Sequence, residues 1–186
     1  RWTILAAGAW SSRLDPALEK LTPVYPVRGQ MALLEMPDRP LRHVIERARC
    51  YIVPRLDGRI LVGATEEHES GYEKQNTAEG VAGLLSTAMQ LVPCLARATL
   101  VRTWAGLRPG TPDRAPYVGP IPGFKGLIAA CGHFRSGLVL APVTAQIIAE
   151  IVVAGRTNRD LTRVAPGREL KKTGRNDDLD RNGPSG

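Results

Sequence analysis

The sequence is poor in cysteine, histidine and aromatic residues, which narrows the functions it can have. It contains three cysteines, three histidines, and 3 Trp, 4 Tyr and 2 Phe among 186 residues. No Cys-x-x-Cys motif is present, so we expect Cys50, Cys94 and Cys131 to be reduced core residues of a cytoplasmic protein, and we expect no metal site. The net charge of +7 comes from scattered arginines, without a helix-turn-helix, zinc-finger or RNA-binding motif. We therefore expect no nucleic-acid partner and a preference for small anionic substrates.

Long apolar runs and a dinucleotide-binding motif are also missing. No uninterrupted apolar run approaches roughly 20 residues, and the apolar stretch near residue 140 is too short by this criterion, so we expect no membrane contact. The chain has no initiator Met and no signal peptide, and it opens in a strand-like pattern, so we expect a fragment of a longer protein. It has no Gly-x-Gly-x-x-Gly motif, which would bind the pyrophosphate of a dinucleotide.

The most informative stretch is 126–155, which reads GLIAACGHFRSGLVLAPVTAQIIAEIVVAG. Leu127 to Cys131 form a short apolar run between glycines, which predicts a strand buried on both faces. A glycine-rich turn follows, and apolar residues at helical spacing from 138 to 153, with Pro142 in the opening turns, predict a helix. The unpaired N–H groups and the positive dipole end at the start of such a helix favour an anion or an electron-rich carbonyl, such as the edge of a cofactor.

The other patterns predict an antiparallel sheet with one helix. Strand patterns cover 3–7, 30–36, 48–55, 59–65 and 98–107. An Asp-Gly turn joins the third of these segments to the fourth as a hairpin. Thr77 is predicted to begin a helix that ends near Leu91, with an apolar stripe that packs on the sheet. The proline-containing segment 15–28 is predicted to be irregular, and 116–126 is predicted to be a connection.

Four further strings complete a pattern found in one family: AAGAWS at 6–11, CYIVPR at 50–55, WAGLRPGTPD at 104–113 and PYVG at 116–119. From about Thr3 to about Val164, the chain resembles the C-terminal half of a glycine oxidase, the flavin-dependent amine oxidase of thiamine biosynthesis in the D-amino-acid oxidase superfamily. The resemblance implies an α+β fold. It would combine an antiparallel-sheet substrate domain with the C-terminal strand-turn-helix part of a Rossmann-like FAD-binding domain, whose Gly-x-Gly-x-x-Gly half is missing.

The resemblance also implies a division of the chain into domains. Residues 1–12 would end the FAD-binding domain, 13–108 would form the substrate-binding domain, and 109–155 would return to the FAD-binding domain. Residues 156–186 lose apolar periodicity and alternate in charge. We expect them to form a polar, disordered tail.

The site residues follow from the same resemblance. Arg108 aligns with the arginine that binds the substrate carboxylate, and a planar guanidinium matches a carboxylate in two parallel hydrogen bonds. Arg135 aligns with a second arginine of that site, and Tyr51 aligns with a tyrosine that faces the substrate. No side chain is implied as a catalytic acid or base. Flavin contacts are implied for Gly8 and for the turn and helix start: His133, Phe134, Arg135, Ser136, Gly137, Leu138 and Val139.

The implied reaction is the FAD-dependent oxidation of glycine or a similar small amino acid to the imine and 2-oxo acid, with release of hydrogen peroxide and supply of thiamine thiazole synthesis. FAD is expected to be non-covalent, because 104–113 lacks the cysteine that superfamily members with covalent flavin use there. We expect a homo-oligomer when full length. Three alternatives stay open: a sarcosine oxidase, a D-amino-acid dehydrogenase, and a truncated, non-catalytic fragment or subunit. Roles for Glu66 and His133 are also open, and Gly8 either contacts the cofactor or only turns the chain.

Overall fold

The computed structural model describes residues 1–47 and 50–170, which form two β-sheets and three α-helices. The strands are Thr3–Leu5 (β1), Tyr25–Glu35 (β2), Ile45–Arg47 (β3), Cys50–Pro54 (β4), Arg59–Gly63 (β5), Thr99–Gly110 (β6), Tyr117–Pro120 (β7) and Leu127–Cys131 (β8). The α-helices are Pro16–Leu21 (α1), Ala78–Leu91 (α2) and Gly137–Ala154 (α3), and short 3-10 helices cover Gly8–Arg13, Pro93–Arg97 and Phe134–Ser136. This architecture confirms the predicted α+β fold class.

The smaller sheet has the strand order β1-β8-β7. Strand β8 is central, because it pairs in parallel with β1 and antiparallel with β7. Its Ile128 packs against Ile147 and Ile151 of α3. On the other face, Ala129 packs in a cluster with Leu18 of α1. Ile128 and Ala129 are both 0% exposed, which confirms a strand buried on both faces.

The larger sheet has the order β3-β4-β5-β2-β6, and all its neighbouring strands are antiparallel. Helix α2 covers one of its faces. Thr77 caps this helix by accepting a hydrogen bond from the Gly80 N–H at 3.1 Å, as the sequence predicts. Leu84 and Ala88 of α2 lie in one core cluster with sheet residues that include Ile52.

The opposite face of the larger sheet is left uncovered by α2. Because side chains alternate along a strand, Tyr51 and Val53 project away from the face that carries Ile52. The register places Tyr51 of β4 opposite Gly63 of β5, and the next two strands continue this row with Met31 and Trp104. The predicted hairpin is confirmed, and the face that α2 leaves uncovered carries Tyr51, Met31 and Trp104 in one row.

The segment 15–28, which the sequence predicts to be irregular, contains a helix and the start of a strand, and the predicted connection 116–126 contains a strand. Asp15 caps α1 by accepting a backbone hydrogen bond at 2.8 Å, with Pro16 at the first helical position. Pro26 lies within β2, where this strand pairs with β6 but not with β5. The second segment contains β7. The prolines therefore mark the start of a helix and a one-sided part of a strand, both of which tolerate a missing N–H group.

The predicted disordered tail is ordered over the part that the structure describes. The Val164 carbonyl accepts a hydrogen bond from the N–H of Val118 at 2.8 Å. The Arg168 side chain is 7% exposed and donates two hydrogen bonds to the Asp113 carboxylate, at 2.8 and 2.7 Å. The prediction is wrong for 156–170, because a few buried anchors hold a segment without apolar periodicity. Residues 171–186 lie outside the described residues.

Helix α3 also departs from the prediction. Within the described residues, Phe134–Ala154 is the one helical segment long and apolar enough to cross a membrane, judged by length and composition. The prediction that it is too short is therefore wrong. Only 11% of the most apolar 18-residue stretch of this helix is buried. Its exposed residues, such as Val153, border an apolar groove of about 750 Å³ that Trp2 and Ile4 also line. An exposed apolar surface of this kind indicates a contact with further protein or with lipid.

Candidate functional site

Arg108 lies near the end of β6, opposite Val27 of β2. The strand continues to Gly110, beyond the predicted strand end at residue 107, so a strand pair holds the arginine. The guanidinium lies over Gly29, because a Cβ atom built on that glycine would come 2.5 Å from Cζ of the arginine. Its Nη1 donates a hydrogen bond to the Thr65 carbonyl at 3.0 Å. The guanidinium is thus held against the sheet, because Gly29 has no side chain to displace it and the Thr65 carbonyl accepts its hydrogen bond.

Tyr51 lies on the same uncovered face. Its ring lies over Gly63, its partner in the neighbouring strand, where an added Cβ atom would come 2.7 Å from both Cζ and the hydroxyl oxygen. The hydroxyl is 3.9 Å from Sδ of Met31, and a thioether is a weak acceptor. Among the described residues the hydroxyl therefore has no strong hydrogen-bond partner, which leaves it available to a ligand.

The loop after β5 connects Arg108 to a buried polar network. Glu67 accepts hydrogen bonds from three side chains: Arg28 Nε (2.8 Å), Gln30 Nε2 (2.8 Å) and Thr65 Oγ1. Burial acts to raise the pKa of Glu67, but the hydrogen bonds from these side chains and the charge of Arg28 outweigh burial, and the pKa is lowered. An ionised Glu67 thus anchors Thr65, whose carbonyl accepts the hydrogen bond from Arg108.

Arg135 reaches the same loop from the smaller sheet. It lies in the 3-10 turn between β8 and α3, and this turn contacts β6. Its Nη1 is 3.9 Å from Oε2 of Glu66, and its Nη2 is 4.0 Å from Oε1 of Glu46. Arg108 and Arg135 therefore contact consecutive loop residues, Thr65 and Glu66. The structure brings both sequence-predicted arginines to one place.

Among the described residues, no side chain caps the start of α3. Gly132 and Phe134 have left-handed backbone conformations, with φ of 78° and 49°. Ser136 occupies the N-cap position without a side-chain hydrogen bond to the helix, and Leu138 and Val139 in the first turn are 90% and 81% exposed. The first N–H groups of α3 therefore lack a side-chain partner at the positive end of the helix dipole. A carbonyl or an anion would satisfy them.

His133 and Gly8 lie on either side of the end of β8. Nε2 of His133 is 2.9 Å from the Thr144 hydroxyl of α3, and burial lowers the pKa of this histidine. The imidazole is therefore neutral near pH 7 and holds the turn onto the helix. Gly8 begins a 3-10 helix that contacts β8 and has a φ of 56°, with no atom within 4 Å of an added Cβ atom. Its backbone conformation explains the glycine, and the space beside it is open.

The cysteines do not contribute to this site. Cys50 and Cys131 are buried, Cys94 is partly buried, and none forms a disulfide. Burial raises the pKa of Cys131 to about 11, so its thiol stays protonated. Among the described residues, no group of three His, Cys, Asp or Glu side chains could hold a metal ion.

The larger sheet thus carries Arg108 and Tyr51 on the face that α2 leaves uncovered, and the 3-10 turn that leads into α3 contacts β6 of this sheet. The chain matches the FAD dependent oxidoreductase family, abbreviated DAO, over residues 1–151. It belongs to this family, whose cofactor is FAD.

Particular relatives narrow the family further. Glycine oxidase from Pseudomonas putida is 44% identical over 163 residues, which are 88% of this chain and 44% of the relative. Glycine oxidase from Geobacillus kaustophilus has a crystal structure that matches with a TM-score of 0.85 at 35% identity, covering 91% of this chain and 46% of that one. Iminodiacetate oxidase from a Chelativorans species matches with a TM-score of 0.79 at 32% identity, covering 89% and 46%. The resemblance to glycine oxidases is confirmed, and the chain spans a little under half the length of these relatives.

The described residues fit one end of a bound FAD. The N–H groups at the start of α3, which no side chain of these residues caps, suit the electron-rich carbonyl edge of an isoalloxazine ring. The open space beside Gly8 is compatible with a further contact. A pyrophosphate-binding loop is not among the described residues. This chain therefore fits the ring end of the cofactor and not its phosphates.

The sequence prediction omits three residues that shape the site, Gly29, Gly63 and Thr65, and assigns no role to a fourth, Glu66. Gly29 and Gly63 form the floor beneath Arg108 and Tyr51, and Thr65 and Glu66 contact the two arginines. A glycine inside a strand often marks a close approach of another group. That signal could have identified both glycines, but it could not have identified the groups that approach them.

Proposed function

We propose that the full-length protein is an FAD-dependent oxidase that deaminates glycine or a similar small amino acid. The observation that carries this proposal is the placement of Arg108 and Tyr51 on one uncovered sheet face, next to a helix start that fits a flavin. The products would be an imine, which hydrolyses to the 2-oxo acid and ammonia, and hydrogen peroxide. The names of the similar glycine oxidases support the choice of substrate class.

In this mechanism the protein positions the substrate. The Arg108 guanidinium binds the substrate carboxylate through two parallel hydrogen bonds, and the Tyr51 hydroxyl donates another. Together these contacts orient the α-carbon towards the open turn before α3. FAD, when bound, would supply the hydride acceptor and pass the electrons to oxygen. The first N–H groups of α3 would hold the carbonyl edge of its ring. The amine enters neutral, so no side chain is assigned a proton transfer.

The exposed apolar side of α3 is covered by the rest of the FAD-binding domain in the full-length enzyme, so no membrane contact is part of this proposal. Two observations support this assignment. The chain spans less than half the length of its relatives. Among the described residues, β1 lies at the edge of a three-stranded sheet, so further strands can pair with it. The free thiols favour a cytoplasmic enzyme.

The product is assigned to thiamine thiazole synthesis, because 104–113 and 126–155 resemble the glycine oxidases of that pathway. Growth without thiamine tests this assignment. The full-length gene should restore growth to a bacterial strain that lacks its own glycine oxidase. Failure to restore growth by an enzyme that is active on glycine would remove the pathway from the proposal and leave the reaction.

The reaction itself is tested with purified full-length protein. Its absorbance spectrum should show bound flavin, and it should release hydrogen peroxide with glycine. A clear preference for sarcosine would identify a sarcosine oxidase instead, and reduction of the flavin by D-alanine without release of peroxide would identify a D-amino-acid dehydrogenase. Bound flavin without turnover of any of the three amines would identify a non-catalytic protein.

Arg108→Ala tests the carboxylate clamp directly. It should raise the KM for glycine by about 100-fold with flavin still bound, because a charge-assisted, two-bond contact is lost. Arg102→Ala is the matched control, since Arg102 lies on the same strand, where its guanidinium stacks 4.9 Å from the ring of Trp104. An unchanged KM in the Arg108 variant would remove this arginine from the site.

A further inference from the structure

The two arginines of the candidate site differ in how their charges are balanced. Arg108 has no carboxylate within salt-bridge distance among residues 1–47 and 50–170, and its one hydrogen bond is to the neutral Thr65 carbonyl. Arg135 lies within about 4 Å of two carboxylates, Glu66 and Glu46. The positive charge of Arg108 is therefore free to bind an incoming carboxylate, whereas the positive charge of Arg135 is already neutralised by Glu66 and Glu46.

Of the two carboxylates, Glu66 is the more buried one, and it lies next to the residue that contacts Arg108. Its side chain is 14% exposed, compared with 59% for Glu46. Its other oxygen, Oε1, is 3.2 Å from Nε2 of His68, so contacts on both sides hold it. It also follows directly after Thr65, whose carbonyl holds Arg108. Since solvent screens buried charges less than exposed ones, Glu66 is the principal partner of Arg135.

We propose that Glu66 makes the enzyme selective for amines with a single carboxylate, because its pairing with Arg135 removes a second cation from the substrate site. This inference rests on the proposed function. A substrate with one carboxylate binds at Arg108 and does not need Arg135. A substrate with two carboxylates must separate Glu66 from Arg135 and then place its own second negative charge close to Glu66. Like-charge repulsion of this kind is a common way to reject a competing ligand.

The test uses the full-length holoenzyme with glycine and with iminodiacetate, an amine with two carboxylates. Glu66→Gln keeps the shape of the side chain and removes its charge. The ratio of kcat/KM for iminodiacetate to kcat/KM for glycine should rise about tenfold or more in this variant. Glu69→Gln, an exposed residue of the same loop, should change the ratio by less than about twofold. An unchanged ratio in Glu66→Gln would overturn the proposal.

A double variant tests whether the effect runs through Arg135. In Glu66→Gln combined with Arg135→Gln, the gain for iminodiacetate should disappear, because no cation is left to receive the second carboxylate. If the double variant keeps the gain of the single variant, Arg135 is not the group that Glu66 masks, and the proposal is overturned.

A binding measurement separates this inference from the proposed reaction. Methoxyacetate and diglycolate are ethers with one and two carboxylates, and neither contains an amine to oxidise. Calorimetric titration of full-length protein should show that Glu66→Gln tightens diglycolate binding relative to methoxyacetate by about tenfold. If wild-type protein fails to oxidise glycine, the proposed function fails and this ratio still tests Glu66. An unchanged ratio would overturn the role of Glu66 even in an active oxidase.

Discussion

The guanidinium of Arg108 occupies the space that a side chain on Gly29 would need. An added Cβ atom would come 2.5 Å from Cζ and Nη2 of the arginine, well inside van der Waals contact. The atoms that would be displaced form the end of a flexible side chain and not the backbone. A methyl group at this position should therefore move the arginine and leave the sheet intact.

Gly29→Ala is expected to weaken substrate binding without unfolding the protein. We expect the KM for glycine to rise by about 10- to 100-fold, because the two-bond contact with the carboxylate loses its geometry. Flavin content and thermal stability should stay close to wild type. Steady-state kinetics of the full-length enzyme, together with its absorbance spectrum, provide the measurement.

Gly106→Ala is the control for this substitution. Gly106 lies directly opposite Gly29 in β6, and no atom lies within 4 Å of its added Cβ atom. The control should leave the KM near the wild-type value. Equal effects of the two substitutions would show that loss of a strand glycine, and not displacement of Arg108, is responsible.

Gly63→Ala should act on Tyr51 in the same way. The added methyl group displaces the ring and its hydroxyl, so the KM for glycine should rise by about tenfold, the effect of losing one hydrogen bond to a charged group. Tyr51→Phe removes the same hydrogen bond and should give a similar KM. The double variant should then be no worse than either single variant. Additive effects would contradict a shared cause.

Glu67→Gln should reduce stability in a pH-dependent way. At pH 7 we expect the free energy of unfolding to fall by about 1–3 kcal/mol, because Arg28 loses a charged partner. The folded-state pKa of Glu67 lies below its unfolded value, near 4.5. The stabilisation is thus fully present above that pH and is lost as the pH falls through the lowered pKa.

Urea denaturation of the full-length enzyme at several pH values measures this effect. The gap between wild type and Glu67→Gln should narrow as the pH drops below 4.5. Glu69→Gln, an exposed neighbour in the same loop, should show little gap at any pH. A gap for Glu67→Gln that does not change with pH would rule out an ionised Glu67 as its cause.

Arg168→Met should be among the more destabilising single substitutions outside the candidate site. It leaves Asp113 with no charged partner among the described residues and removes a guanidinium that lies 4.0 Å from the centre of the Tyr117 ring. Breaking a buried pair in this way costs about 3–5 kcal/mol, which thermal denaturation of the full-length enzyme would detect. Arg163→Met, at an exposed position nearby, should have little effect. Similar losses in both variants would mean that the buried pair is not the stabilising element.

Local sequence patterns predict the elements of this fold better than the contacts between them. The strand, turn and helix at 126–155, the hairpin and the Thr77 cap follow from periodicity and turn residues within short windows. The contact from Arg108 to Thr65 spans 43 residues and the pair of Arg168 with Asp113 spans 55. No local pattern encodes such contacts, so the site floor and the ordered tail could not be foreseen.

The role of the prolines was misjudged for a related reason. Pro16 and Pro26 suggest irregular chain when they are considered singly. Whether a proline breaks an element depends on which neighbour needs its missing N–H group, and that is decided by tertiary pairing. The family resemblance supplied the positions of Arg108, Arg135 and Tyr51. Only the structure revealed that Glu66 lies close to one of these arginines.

Strands β1 and β8 are neighbours in space although 121 residues separate Leu5 from Leu127, and the Thr3 N–H donates to the Gly126 carbonyl at 2.8 Å. The whole larger sheet is therefore an insertion between two neighbouring strands of the smaller sheet, and its entry and exit lie side by side. Insertions or substitutions within the larger sheet can accumulate without breaking the pairing of β1 with β8.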